Sequence, residues 1–247
     1  MGAVEDVLSH GRLILGPEVE IFEGAVAKYC EKRFAVGVGS GTQAIYLALK
    51  SFNVGPGDEV ITTPLSWIAT LNAITECGAT PVFVDIAEDL NIDATLIPKA
   101  ITSRTKVILP VHFTGKVCDM VPIMKVASEH NIHVVEDAAQ AYCSSLNGKR
   151  AGTFSQAAGF SMNPMKILHA YGEAGVVTTN SNKIYKASIP GASNTPLGLT
   201  RDSSGNFYIL MNNSPNDSIM KVDSSGDKVT AWGTEGVVNT SSGDTNS

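Results

Sequence analysis

The sequence predicts an α/β fold over residues 1–181, with helices on both faces of a mostly parallel sheet in a three-layer α/β/α arrangement. Strand-like and helix-like segments alternate along this part of the chain. The strand-like segments are apolar without a regular polar alternation, which indicates that both of their faces are covered. A length of 247 residues and a hydrophobic content of 43% allow a core large enough for such a domain.

The elements of this domain follow from local patterns. A helix is predicted to begin at Pro17, because proline suits the first helical position and apolar residues recur after it at helical spacing. Further helices are predicted at TQAIYLALKSF, WIATLNAITECG and PIMKVASEH. Strands are predicted at FAVGV, EVITT, TPVFVD, KVILPV, IHVVED, GFSM and AGVVTT.

The composition changes near residue 182, after which Ser, Asn, Gly and Asp become dense. Short strand-like segments (NFYILM, SIMKVD and KVTAWG) are separated by turn signals such as SSGN and SSGD. Residues 182–238 are therefore predicted to form a short antiparallel β-meander, and residues 239–247 a disordered tail. Because the unit does not recur in the sequence, a lone blade of this kind would leave its edges uncovered.

Charge and composition exclude several classes of function. A net charge of -6 argues against a nucleic-acid partner. The sequence lacks an apolar run of membrane-spanning length and an apolar leader, so no membrane partner and a cytoplasmic location are expected. No metal is assigned, since His130 and His133 have no carboxylate or cysteine partners nearby in sequence. Neither a zinc site nor a disulfide framework is indicated by the four widely spaced cysteines, Cys30, Cys77, Cys118 and Cys143.

An acid and a lysine indicate the chemistry. Asp137 ends the apolar run in VVEDAAQA, and Lys166 lies further on in the Gly-rich segment FSMNPMKILHAYGEAG. Pyridoxal 5'-phosphate (PLP) needs an amine that bonds it covalently and a carboxylate that keeps its pyridine nitrogen protonated. Two alternatives stay open: a loop lysine is usually solvated, and Asp137 could instead cap a helix over AAQA.

The turn Gly39-Ser40-Gly41-Thr42 joins a predicted strand to a predicted helix. Its backbone N–H groups, its hydroxyls and the helix dipole suit a phosphate monoester, and Ser161 is placed to add another hydroxyl. A tight turn without a ligand is the alternative. A dinucleotide fingerprint is excluded because Thr42 stands where the third glycine belongs, and no P-loop sequence is present.

Four further residues are candidates near this site. Gln140 lies in the turn after Asp137, whereas Glu136 should point the other way. Trp67 begins a predicted helix, where its ring could stack on the pyridine, although core packing explains it equally well. His112 follows a strand end, and a satisfied core histidine is at least as plausible as a site residue.

Several motifs in register resemble one family. The segments GPEVEIFE, SGTQAIYLAL, GPGDEVIT, GATPVFVDI, PVHFTGK, VEDAAQA and the Lys166 segment resemble the sugar-nucleotide aminotransferases of the DegT/DnrJ/StrS type. The resemblance covers roughly Arg12 to Asn180 and implies PLP fold type I. It implies the transfer of an amino group from glutamate to a nucleotide-linked keto-deoxysugar by a homodimer. A dehydratase branch has histidine at the lysine position, so Lys166 places this chain with the aminotransferases.

The resemblance also implies the residues of the cofactor site. In it, Lys166 bonds the cofactor and moves the proton, Asp137 contacts the pyridine nitrogen and Gln140 contacts the ring hydroxyl. Trp67 would lie on the ring face. The phosphate would be bound by Gly41, Thr42 and Ser161.

The part after residue 181 departs from this family. It resembles one NHL-type β-propeller repeat, so a fused or truncated reading frame is expected. Three alternatives follow for function: an impaired sugar aminotransferase, an inactive remnant that binds PLP weakly or dimerises, and a tail that binds another protein or a glycan. Against the last, one blade lacks the neighbours that would stabilise it.

Overall fold

A computed structural model of the chain describes residues 2–12, 16–181, 195–201, 207–212, 218–222 and 237–239. The chain divides into two compact units, residues 1–184 and 185–247. Within the described residues, no helix combines the length and the apolar character needed to cross a membrane.

The first unit contains six helices among its described residues. They are α1 (Gly2–His10), α2 (Pro17–Tyr29), α3 (Gly41–Ser51), α4 (Ile68–Glu76), α5 (Ile97–Ala100) and α6 (Met120–Glu129). The prediction of α2, α3, α4 and α6 is confirmed to within about two residues at each end, whereas α1 and α5 were not predicted.

Seven of the nine strands described in this unit match predicted segments. The nine strands are β1 (Phe34–Val38), β2 (Glu59–Thr62), β3 (Thr80–Phe83), β4 (Thr105–Ile108), β5 (His133–Asp137), β6 (Ser145–Leu146), β7 (Lys149–Arg150), β8 (Ala157–Ser161) and β9 (Gly175–Thr179). The short hairpin of β6 and β7 was not predicted, because it is too short to leave an apolar pattern.

Seven strands form the main sheet in the order β1-β9-β8-β5-β4-β2-β3. Strands β3, β2, β4, β5 and β8 are parallel to one another, and β9 is antiparallel to both β8 and β1. The prediction of a mostly parallel sheet is therefore confirmed. Strand β9 alone among these seven runs the other way, an orientation that its apolar sequence could not reveal.

The sheet is buried on both faces, as its apolar strands predicted. Adjacent residues of a strand enter different clusters: Val134 packs in the cluster that contains α2 and α6, and Val135 in the one that contains α3 and α4. Since successive side chains of a strand point to opposite faces, helices cover both sides. This is the predicted three-layer α/β/α arrangement.

The strand directions place the chain's polar turns at one edge of the sheet. Strands β1, β5 and β8 all end at this edge, and β9 begins there, because β9 alone is reversed. Parallel α/β sheets bind their ligands outside the carboxyl ends of the strands. A ligand site is therefore expected at this edge.

The second unit contains a four-stranded antiparallel sheet, described as strands only. Its strands are β10 (Thr195–Arg201), β11 (Phe207–Asn212), β12 (Ser218–Val222) and β13 (Val237–Asn239), paired in chain order as a meander. NFYILM and SIMKVD correspond to β11 and β12. KVTAWG lies outside the described residues.

The tail prediction needs one correction. Strand β13 includes Asn239, which pairs with Ser218, so the sequence placed the start of the disordered tail one residue too early. Residues 240–247 lie outside the described part of the chain. The NHL-type repeat and the boundary at residue 182 stay predictions.

Candidate active site

Asp137 is the last residue of β5 and only 3% of it is exposed. Its Oδ2 accepts a hydrogen bond from Thr70 Oγ1 at 2.7 Å, and its Oδ1 accepts one from the Ala139 N–H at 3.2 Å. Burial raises the pKa of Asp137, and these two hydrogen bonds oppose that shift without cancelling it. The chain that follows forms turns, so the alternative of an Asp137-capped helix over AAQA is wrong.

Glu136 lies on the other side of β5, as the alternation of a strand predicts. Its carboxylate accepts hydrogen bonds from His112 Nε2 at 3.1 Å, from the N–H of Gly152 at 2.6 Å and from Ser155. Burial acts to raise the pKa of Glu136, but the hydrogen bonds from His112, Gly152 and Ser155 outweigh it and lower that pKa. This carboxylate is therefore ionised and supplied with donors inside the protein.

His112 is a fully buried partner of that carboxylate. Its Nδ1 accepts the backbone N–H of Cys118 at 3.2 Å, which assigns the ring proton to Nε2 and makes Nε2 the donor to Glu136. Cys118 Sγ in turn donates to the carbonyl of Val111 at 3.3 Å. Of the two interpretations left open by the sequence, the satisfied core histidine is the one observed.

Lys166 lies in the loop between β8 and β9 and is half-buried. The backbone N–H of Lys166 donates to the backbone carbonyl of Asn163 at 2.8 Å. A second backbone hydrogen bond, from the Met162 N–H to the Ala174 carbonyl at 2.8 Å, closes the base of the loop. The charge of Lys166 is close enough to Asp137 to favour the ionised form of that acid. The structure thus brings the predicted lysine and the predicted acid into one region.

The predicted phosphate turn forms the start of α3. Ser40 is the N-cap and its Oγ accepts the N–H of Gln43 at 3.1 Å, which leaves the first N–H groups of the helix to face this edge of the sheet. Thr42 lines a surface hollow of about 620 Å³ at this terminus, together with Gly39, Ser40, Gln43, Tyr46 and Glu76.

Ser161 and the start of α3 are in close contact. A Cβ built on Gly41 would lie 2.6 Å from Ser161 Cβ, so only glycine lets the helix terminus approach the end of β8. Gly41 and Ser161, two of the three residues predicted to bind a phosphate, are therefore neighbours, and the binding itself stays a prediction.

Trp67 and Gln140 lie at the same edge of the sheet. Trp67 is the N-cap residue of α4 and 74% of it is exposed, so the alternative of core packing is wrong. Gln140 is exposed in the turn after β5, where its backbone carbonyl closely approaches Gly115. Both side chains are free to face a ligand, and neither position is fixed by the core.

Sequence reasoning missed Thr70, which is 1% exposed and donates directly to Asp137. A threonine within the apolar helix IATLNAITE gives little signal, since its sequence position does not show which distant residue its hydroxyl contacts. Its position three residues after Trp67, in the first turn of a helix that begins at the ligand edge, is the clue that could have found it.

The residues at this edge fit PLP as a cofactor. A buried acid short of donors, a nearby lysine and an anion cradle at a helix N-terminus are the groups that PLP-dependent transferases use. The chain belongs to the DegT/DnrJ/EryC1/StrS aminotransferase family, whose model matches residues 1–191. The predicted family and the predicted cofactor are both confirmed.

Relatives of known name agree with this assignment. The chain is 45% identical over 183 residues to the dTDP-3-amino-3,4,6-trideoxy-alpha-D-glucose transaminase of Streptomyces venezuelae, which covers 74% of this chain and 48% of that protein. It is 46% identical over 164 residues to the GDP-perosamine synthase of Caulobacter vibrioides, covering 66% and 44%. The solved NtdA of Bacillus subtilis, with its cofactor PMP bound, superposes with a TM-score of 0.69 at 37% identity, covering 72% and 40%. The chain thus spans about half the length of these relatives.

Proposed function

We propose that this chain carries the PLP site of a nucleotide-sugar aminotransferase, which transfers the amino group of glutamate to the keto group of a nucleotide-linked deoxysugar. The observation that carries the proposal is the placement of Asp137 and Lys166 at the carboxyl edge of the sheet, beside the anion cradle of α3. When bound, PLP supplies an electron sink for the carbon that loses a proton during amino transfer.

Asp137 is proposed to accept the pyridine N–H of the cofactor. Its carboxylate is buried and has two protein donors, so it retains acceptor capacity that a pyridinium N–H would fill. A charge in such a place is costly unless it is paired. The pairing would keep the ring protonated and thereby strengthen it as an electron sink.

Lys166 is proposed to bond the cofactor and to move the proton between carbon atoms. The loop that carries it is anchored at its base between Met162 and Ala174, which restricts where the amine can reach. The loop follows β8 at the carboxyl edge of the sheet, where β5 ends at Asp137, so a cofactor ring held by that acid would lie at the same edge as the amine.

The remaining predicted residues are proposed to hold the two ends of the cofactor. Gly41, Thr42 and Ser161 would bind the phosphate through backbone N–H and hydroxyl groups. Trp67 would cover one face of the ring, and Gln140 would contact its hydroxyl. These roles follow the family resemblance and are compatible with the exposure of Trp67 and Gln140.

A second copy of the chain is proposed to cover this site in a homodimer. Large apolar side chains next to the site residues are exposed: Trp67, Ile68, Met165, Ile167 and Tyr171. Exposed apolar side chains of this size are frequent at protein interfaces, which supports the homodimer that the family resemblance implies. The relatives' names support the class of sugar substrate, with dTDP in one and GDP in the other.

The decisive experiment is covalent trapping of the cofactor. Borohydride reduction of the PLP-loaded chain should fix the cofactor on the peptide that contains Lys166, as detected by mass spectrometry. Lys166→Ala should lose the label and the amino transfer, while Lys125→Ala, a change at an exposed lysine on α6, should keep both. Amino transfer can be followed as glutamate formed from 2-oxoglutarate and a dTDP-linked amino sugar. A label on another lysine would contradict the assignment.

A further inference from the structure

A short chain of hydrogen bonds leads to the buried acid of the site. Ser66 Oγ lies 2.6 Å from Thr70 Oγ1, and Thr70 Oγ1 lies 2.7 Å from Asp137 Oδ2. Thr70, on α4, and Asp137, at the end of β5, are both buried, and Ser66 is half-buried in the segment just before α4. Three groups, one on α4, one on β5 and one in the segment that precedes α4, are thus joined by two consecutive hydrogen bonds.

The direction of this chain follows from the chemistry of its members. An ionised carboxylate only accepts hydrogen bonds, so the single hydroxyl proton of Thr70 is donated to Asp137. The oxygen of Thr70 is then free to accept, and the Ser66 hydroxyl must be the donor to it. The polarity is therefore Ser66 to Thr70 to Asp137, which is the direction that supports a negative charge on the acid.

The helix geometry holds this chain in place. Thr70 belongs to the first turn of α4, where its N–H donates to the carbonyl of Trp67 at 3.1 Å. As a β-branched residue in a helix, threonine has few side-chain rotamers, so the position of its hydroxyl is restricted. Oδ2 of Asp137 is engaged by Thr70 and Oδ1 by Ala139, which fixes the plane of the carboxylate.

We propose that Thr70, supported by Ser66, is a positioning residue that orients the Asp137 carboxylate and favours its charged form, so that the acid is ready to accept a pyridinium N–H. The proposal rests on the proposed role of Asp137. It adds a threonine and a serine that do not themselves touch the cofactor. Both act through the acid: Thr70 lies in the first turn of α4, and Ser66 lies in the segment just before that helix.

The buried position of Asp137 explains why its charged form needs a hydrogen bond from Thr70. Burial raises the pKa of Asp137, and the hydrogen bond from Thr70 is the largest of the effects that lower it. Without that bond, the buried acid would take up a proton more readily and could no longer pair with a pyridinium. The loss would show in the protonation state of the ring, and a role in packing alone would leave that state unchanged.

The test compares Thr70→Val with Thr70→Ser in the full chain loaded with PLP that carries ¹⁵N in its ring. Valine keeps the shape and removes the hydroxyl, and serine keeps the hydroxyl. The ¹⁵N resonance distinguishes a pyridinium from a pyridine, and dialysis against PLP gives the affinity. We expect Thr70→Val to shift the resonance towards pyridine and to weaken PLP binding roughly tenfold, and Thr70→Ser to restore both.

The outcomes separate this inference from the proposed function. Asp137→Asn should lose the pyridinium resonance, and a parental resonance there would mean that the ring does not sit on this acid. If Asp137→Asn shifts the resonance and Thr70→Val keeps the parental one, Thr70 only packs and the inference fails. Should Thr70→Val not unfold cooperatively, Ser66→Ala carries the test: a smaller shift in the same direction supports the chain, and a parental resonance overturns it.

Discussion

Glu136 and Asp137 are neighbours in sequence and both are buried, yet they lie on opposite sides of β5 and differ in their hydrogen-bond donors and in the direction of their pKa shifts. Glu136 is surrounded by donors from His112, Gly152 and Ser155, and its pKa is lowered despite burial. Asp137 has two donors and its pKa is raised by burial. One acid has its hydrogen bonds completed by the protein, and the other does not.

The difference shows how to separate a structural acid from a functional one. The charge of a buried carboxylate with many protein donors is compensated within the protein, and removing that charge leaves its buried donors without their acceptor, which destabilises the fold. A buried carboxylate that is short of donors costs free energy in the empty protein, and a ligand that brings a donor offsets that cost. Burial alone does not distinguish the two; the number and source of the donors do.

The largest expected effect is on the rate of amino transfer when Asp137 is replaced. Asp137→Asn should slow amino transfer by roughly a thousandfold, because a neutral amide cannot hold the ring nitrogen in its protonated form. The free energy of unfolding without PLP should not fall, since the buried charge is removed. Single-turnover kinetics and urea unfolding measure the two. A parental rate would show that Asp137 belongs with Glu136 as a structural acid.

The next largest effect is on the stability of the fold when Glu136, on the other side of β5, is replaced. Glu136→Gln should lower the free energy of unfolding by about 3 kcal/mol, because the donors of His112, Gly152 and Ser155 lose their charged acceptor. Glu129→Gln, at an exposed acid on α6, is the control and should change it by less than about 0.5 kcal/mol. Urea unfolding decides this; an equal loss in both variants would remove the distinction between the two carboxylates.

The smallest effect is in the pH dependence of stability without cofactor. Glu136, with its pKa below the ordinary 4.5, stabilises the fold above that value, and this stability is lost as pH falls through its folded pKa. Asp137, with a raised pKa, costs stability at neutral pH, and this cost disappears as pH falls towards its ordinary 3.8.

Replacing Glu136 and replacing Asp137 should therefore change the pH dependence of the free energy of unfolding in opposite directions. Between about pH 7 and pH 3, Glu136→Gln should flatten the loss of stability on acidification, and Asp137→Asn should steepen it. Urea unfolding at a series of pH values provides the curves. Matching curves for the two variants would mean that the acids do not differ in the way their donors indicate.

Much of this site could be predicted from sequence because it depends on local patterns. Apolar strands ending in polar turns placed Asp137, Ser161 and the start of α3 at one edge, and the alternation along β5 separated Glu136 from Asp137. Thr70 and the His112–Glu136 pair could not be predicted with the same means. Their contacts join segments far apart in the chain, and a threonine or histidine in an apolar run has no periodic signal.

The pairing of β1 with β9 has a consequence for how the protein is made. Strand β1 lies at the edge of the sheet, and its partner is the last strand of that sheet in the chain, with Phe34 opposite Thr179. During synthesis on a ribosome, β1 and the helix start that follows it must wait for residues up to 179 to emerge before they are held in the sheet. The N-terminus of α3, although encoded early, is therefore among the last parts of this unit to be assembled.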